Sequence, residues 1–108
     1  MKDLTLSELI LLLAIWRLED NAYGVTIRKQ VAEMTNKTYA YGTIYSALEQ
    51  LFTKGYVIKI VGPSTPERGG RSKVFYRLTP DGKKAMKAAR QLQTSIWEGV
   101  PEFVIDKI

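Results

Sequence analysis

In the segment VGPSTPERGGRSKVFYRLTP, residues 61–80, the cations Arg68, Arg71 and Lys73 stand around the pair Gly69–Gly70. Glycine tolerates positive φ and close backbone approach, so guanidinium and ammonium groups beside it suit the binding of phosphate oxygens by charge and N–H donors together. Pro63 and Pro66 stiffen the way into the loop. Nine of the sixteen basic residues, but only two of the eleven acidic ones, lie between residues 55 and 90, so the formal charge of +5 gathers there. An anionic polymer would feel that field. Taken alone, the loop fits a solvated hairpin tip equally well.

The residue types that are missing narrow the chemistry further. The chain has no cysteine and no histidine, which removes disulfides, the common zinc sites and every Cys–His or Ser–His nucleophile pair. Ser72, Ser95, Glu49 and Asp81 have no partner at a recognisable catalytic spacing, and no glycine-rich phosphate loop follows a strand pattern. Binding rather than catalysis is expected, with no cofactor and no metal. The apolar run Leu9–Trp16 is too short to span a bilayer and continues into Arg17, Glu19 and Asp20. A core helix of a cytoplasmic protein, without a membrane partner, is the expectation.

The elements that would position the basic loop follow from pattern. In TLSELILLLAIWRLED, Thr5 with Glu8 three residues on is a capping box, predicting a helix from about Leu6 to Glu19. Leu9, Leu12, Leu13 and Trp16 make one apolar stripe of that helix, and Leu11, Ile15 and Leu18 a second one nearly opposite. Either one stripe meets another subunit or the helix is central and buried all round. Ile27, Val31 and Met34 predict a second helix, and Ile44, Leu48 and Leu51 a third that ends at Gly55 and turns Thr43, Tyr45, Ser46 and Glu49 outward. Two short helices across the polar turn NKTYAY fit a helix-turn-helix, whose second helix presents its N-terminal half to a DNA major groove.

YVIKIV and the alternating KVFYRL then read as the strands of a hairpin with the basic loop at its tip. The fold class is therefore mainly α with a small antiparallel β-hairpin: a winged helix-turn-helix over residues 1–78 and a dimerisation helix with a short tail over 79–108. In that context the loop becomes a wing along phosphates or in a minor groove. Thr79 as N-cap, Pro80 in the first position and Asp81 in the first turn open the last helix, which Gly99 and Pro101 close. Ala85, Ala89, Leu92 and Ile96 form its apolar stripe, and together with Leu11, Ile15 and Leu18 they are the expected homodimer surface. The tail residues Phe103, Val104 and Ile105 are apolar enough to dock on the body or on a partner.

NAYGVTI, YGTIYSALEQLFTKGYV, GGRSKVFYRLTPDG and the terminal helix with Trp97 together resemble the PadR family of bacterial transcriptional regulators, over nearly the whole chain. The pairing of GTIYSALEQL with GGRSKVFYRLTPDG is far more specific than a generic winged-helix pattern. The resemblance implies a homodimeric repressor of the short subgroup, in which the C-terminal helix packs on the partner's N-terminal helix. It also implies double-stranded DNA as the partner, with Thr43, Tyr45 and Ser46 facing it, Lys37, Tyr39 and Tyr41 at the helix entrance, and Arg68, Gly70, Arg71 and Lys73 on the wing. Many relatives have serine and proline where this chain has Ala40 and Tyr41, so the usual N-cap oxygen is gone. Regulation by a small aromatic or drug-like effector is a family property, and Trp16 and Trp97 are the rings that would line such a pocket; the plainer reading makes both packing anchors. A winged helix that binds protein instead of DNA is the rival class.

Overall fold

The computed structural model describes residues 3–64 and 72–102, so Arg68, Gly70 and Arg71 of the expected wing and Phe103, Val104 and Ile105 of the tail lie outside the described residues. Helix α1 spans Leu6–Leu18, one residue short of the expected end. Its capping box forms: the Glu8 N–H donates to Thr5 Oγ1 at 3.1 Å, and the Thr5 N–H donates to Glu8 Oε1 at 2.9 Å. A 3-10 turn, Glu19–Asn21, leads to α2, Gly24–Thr35, which closes on Asn36 in the left-handed region at φ 57. Helix α3 spans Tyr41–Thr53, and Gly55 at φ 81 makes the stop that its sequence position predicted.

Strands β1, Val57–Ser64, and β2, Ser72–Leu78, pair antiparallel with Val57 opposite Leu78 and Val61 opposite Val74. Alternation fixes which side of the hairpin faces inward, and Val57 and Tyr76 are the strand residues that become buried. The hairpin is also clamped to the α1–α2 connection, which the sequence did not announce. Tyr23 bridges Phe75, the Tyr76 N–H donates to the Ala22 carbonyl at 2.8 Å, and the Tyr23 and Phe75 rings meet edge to face at 5.4 Å.

Helix α4, Pro80–Trp97, begins where Thr79 Oγ1 accepts the Gly82 N–H at 3.0 Å and donates to the Gly55 carbonyl at 2.6 Å. Its first turn lies on the backbone between α3 and β1. A Cβ at Gly82 would stand 2.2 Å from the Tyr56 carbonyl oxygen, so only glycine permits this approach.

Leu12, Ile15, Ile27, Leu48, Leu51 and Val57 are the fully buried side chains around which α1, α2, α3 and the hairpin close. This corrects the expected homodimer surface. Leu11 and Ile15 are 4% and 2% exposed inside the protomer's own core, Leu18 packs against that core, and Ala85 and Ala89 are buried as well. The two stripes of α1 are both apolar, so periodicity could not say which one the domain itself would use. The other stripe is buried as well at Leu9 and Leu12, 8% and 0% exposed, and stays open only at Trp16, 61% exposed, and at half-buried Leu13, with Leu6 exposed at the N-terminus.

The C-terminal half of α4 leaves the body. Every residue from Arg90 to Glu98 is exposed, and the radius of gyration is 16.2 Å, against about 13 Å for a compact chain of this length. Among the described residues, no helix is long and apolar enough to cross a membrane.

Candidate nucleic-acid interface

The buried positions of α3 decide what its outer face carries. Ile44, Leu48 and Leu51 point into the core, which leaves Tyr41, Thr43, Tyr45, Ser46 and Glu49 exposed, with Lys37 exposed in the preceding turn. Ala40 occupies the N-cap and supplies no side-chain hydrogen bond. The first-turn N–H groups therefore keep their positive end uncovered by a cap oxygen. Further along the helix, Glu49 is paired with Lys59 of β1, whose ammonium also lies 4.4 Å from the centre of the Phe52 ring. The hydrogen bond to Glu49 raises the Lys59 pKa. Charge is thus neutralised at the C-terminal half of α3, and the N-terminal half faces outward with hydroxyls, behind the exposed Lys37 of the preceding turn.

Tyr39 does not share this exposure. It is half-buried against the core, and its carbonyl accepts a hydrogen bond from Arg28 Nε at 2.6 Å. The Arg28 guanidinium lies 4.2 Å from the centre of the Tyr41 ring, and Tyr41 stacks on Tyr45 with centroids 6.3 Å apart and planes at 25°. Tyr45 in turn rests on the start of α2. A Cβ at Gly24 would come within 2.1 Å of the Tyr45 hydroxyl oxygen. In the sequence, a cation one helix before the tyrosine at the α3 entrance was the available signal for this contact.

Of the wing, Lys73 is described and is half-buried, its ammonium 4.4 Å from the centre of the Tyr23 ring at the foot of the hairpin. At the far end of α3, Lys54 forms an ion pair with Glu8 in the first turn of α1. Burial alone would push the Glu8 carboxyl up, but Lys54 and the Thr5 N–H outweigh it and hold the pKa below the usual carboxylate value. This pair ties the C-terminal end of α3 to α1.

The two tryptophans are not brought together within one protomer. Trp16 borders an open concavity with Arg17, Arg77 and Lys83, whereas Trp97 borders another with Arg90 and Gln93. Among the described residues, no group of three or more acidic, cysteine or histidine side chains could hold a metal.

Three helices, a helix-turn-helix with an open second helix, and a hairpin clamped behind it define a winged-helix protein. A model for the transcriptional regulator PadR-like family matches residues 12–88, and the chain belongs to that family. Its members are non-enzymatic DNA-binding regulators. Among similar solved structures is a transcriptional regulator from Clostridium thermocellum, 26% identical, with a TM-score of 0.70 over 94% of this chain and 90% of that one. A PadR family transcription regulator from Clostridium difficile R20291 is also 26% identical, with a TM-score of 0.67 over 90% of this chain and 97% of that one. The regulator BpsR of Bordetella bronchiseptica, whose DNA binding is regulated by 6-hydroxynicotinic acid, shares the fold at 22% identity and a TM-score of 0.62, covering 92% of this chain and 69% of that one. No curated protein matches the chain.

Proposed function

We propose that this PadR-family regulator is a homodimeric repressor that reads an inverted-repeat operator with the N-terminal half of α3 and neutralises flanking phosphates with the hairpin tip. The observation that carries the DNA-reading face is the exposed set Lys37, Tyr41, Thr43, Tyr45 and Ser46 around an uncapped helix start. Hydroxyl groups there donate to phosphates or base edges. Arg68, Gly70, Arg71 and Lys73 are the wing contacts. Dimerisation is supported by Leu92 and Ile96, 45% and 65% exposed on the outer half of α4. The open stripe of α1, with Leu6, Leu13 and Trp16, is the surface of a second copy that we assign to them.

In such a dimer Trp97 of one copy approaches the Trp16 stripe of the other, and a flat aromatic effector would enter at that seam. It would act by favouring dimers whose recognition helices no longer match successive major grooves, about 34 Å apart. Tryptophan quenching by such a compound, lost in Trp97→Ala, is the expected sign; displacement from DNA independent of Trp97 would count against the seam.

Selection of duplexes from a random pool, followed by a salt titration of the best binder, tests the main reading. An inverted repeat with half-sites about one helical turn apart and a steep salt slope is expected. No enriched sequence and a shallow slope would turn the winged helix into a protein-binding module.

A further inference from the structure

We infer that Arg28 of α2 is a DNA-backbone ligand, held in its binding position by the Tyr39 carbonyl and the Tyr41 ring, and that Tyr41 acts through it as a positioning residue. The inference rests on the DNA-reading role of α3. In helix-turn-helix proteins the first helix of the motif crosses the phosphate backbone, so a cation on α2 beside the α3 start is placed where phosphates run.

The contacts fix both the position and the orientation of the guanidinium. Its Nε is used by the Tyr39 carbonyl at 2.6 Å, and its plane is covered by Tyr41 with the ring centre 4.2 Å from Cζ. Among the described residues no carboxylate pairs with it. The Nη groups are therefore the donors left for an acceptor in the guanidinium plane, the geometry in which arginine takes phosphate.

The support continues behind Tyr41. Tyr41 stacks on Tyr45, and Tyr45 is seated against Gly24, where a Cβ would displace its hydroxyl. The ladder Arg28–Tyr41–Tyr45–Gly24 joins the two helices of the motif. A tyrosine at position 41 thus does something that a proline there could not: it gives the arginine a platform. Because phosphate contacts carry no sequence information directly, the residue sets affinity and register and not base preference.

The test uses the full chain and the duplex enriched by selection, with affinity measured across a salt series and thermal melting as a check on folding. Arg28→Gln should weaken binding about tenfold and lower the salt slope by about one unit. Arg28→Lys should keep the slope and weaken binding by less. Tyr41→Phe, which retains the ring but not the hydroxyl, should weaken binding less than Tyr41→Ala and keep the Arg28 contribution to the salt slope, with unchanged melting in both. A wild-type salt slope in Arg28→Gln, whatever happens to affinity or melting, overturns the phosphate role and leaves Arg28 a clamp between helices. If Tyr41→Phe loses as much affinity as Tyr41→Ala, the platform role falls. A wild-type chain that enriches no duplex overturns the DNA reading itself, whereas a steep wild-type slope with a parallel Arg28→Gln line overturns only this inference.

Discussion

In the first half of α4 the apolar stripe is made of Ala85 and Ala89, 3% and 9% exposed; in the second half it is made of Leu92 and Ile96, 45% and 65% exposed. The stripe is continuous in sequence, so the difference comes from side-chain size and from what lies opposite. Alanine and Gly82 let the helix axis come down onto the body until it touches the Tyr56 backbone. Past Ala89 the body ends, and the larger residues extend into solvent. One half completes the protomer's own core and the other is left exposed, so under the proposed dimer folding and assembly would be separated along a single helix.

The strongest way to break that comparison is to replace Leu92 and Ile96 together by aspartate. Losing two large apolar anchors from an interface costs about 4 kcal/mol, about a thousandfold in the dimer dissociation constant. Sedimentation velocity over a concentration series should show the variant monomeric and folded; a wild-type chain that sediments as a monomer would remove the assembly role of the outer half. Next in size is the inner half. Gly82→Ala drives a Cβ into backbone and should cost the protomer about 1–3 kcal/mol in denaturant unfolding. Unchanged stability would mean that the inner half is not seated as described.

A smaller effect sharpens the same contrast within the body. Glu8→Gln removes the ion pair with Lys54 and should lower stability at neutral pH by about 1 kcal/mol. The folded Glu8 pKa lies below its ordinary value. Its contribution is therefore fully present above the unfolded carboxylate pKa and is lost as pH falls through the lowered folded one. Denaturant midpoints measured from neutral to acid pH should accordingly fall less in Glu8→Gln than in the wild type. The smallest change is Asp20→Ala, which breaks the 3.0 Å contact with Arg77. Both partners are well exposed, and thermal unfolding should move by less than about 0.5 kcal/mol.

Features written in adjacent residues could be read from the sequence. The Thr5–Glu8 capping box, the Gly55 stop and the Thr79–Pro80 start each depend on chemistry within one helical turn, and each is present. The hairpin and the outward set Thr43, Tyr45 and Ser46 followed from period alone. The choice between the two α1 stripes was different in kind. Leu11 and Leu13 are the same residue type, and only the arrangement of α2, α3 and the hairpin decides that Leu11 is buried more deeply. The Tyr23–Phe75 bridge, the Gly24–Tyr45 contact and the Arg28 platform are likewise long-range pairings between residues that are individually ordinary. Family resemblance brought Tyr39 into the expected site, but its ring packs on the core and only its carbonyl serves Arg28.

The seat of α4 on Thr79 and Gly82 has a mechanical meaning. The helix has 18 residues and is fixed at its N-terminal end against the Gly55–Tyr56 backbone, which makes it a lever about 27 Å long with its fulcrum at the root of the hairpin. A sideways displacement of about 3 Å at Trp97 turns that fulcrum by roughly 6° on this length. The same backbone ends α3 and begins β1, so the rotation is delivered to α3 and the hairpin strands together. Whatever moves the outer end of α4 therefore steers α3 and the hairpin strands as one.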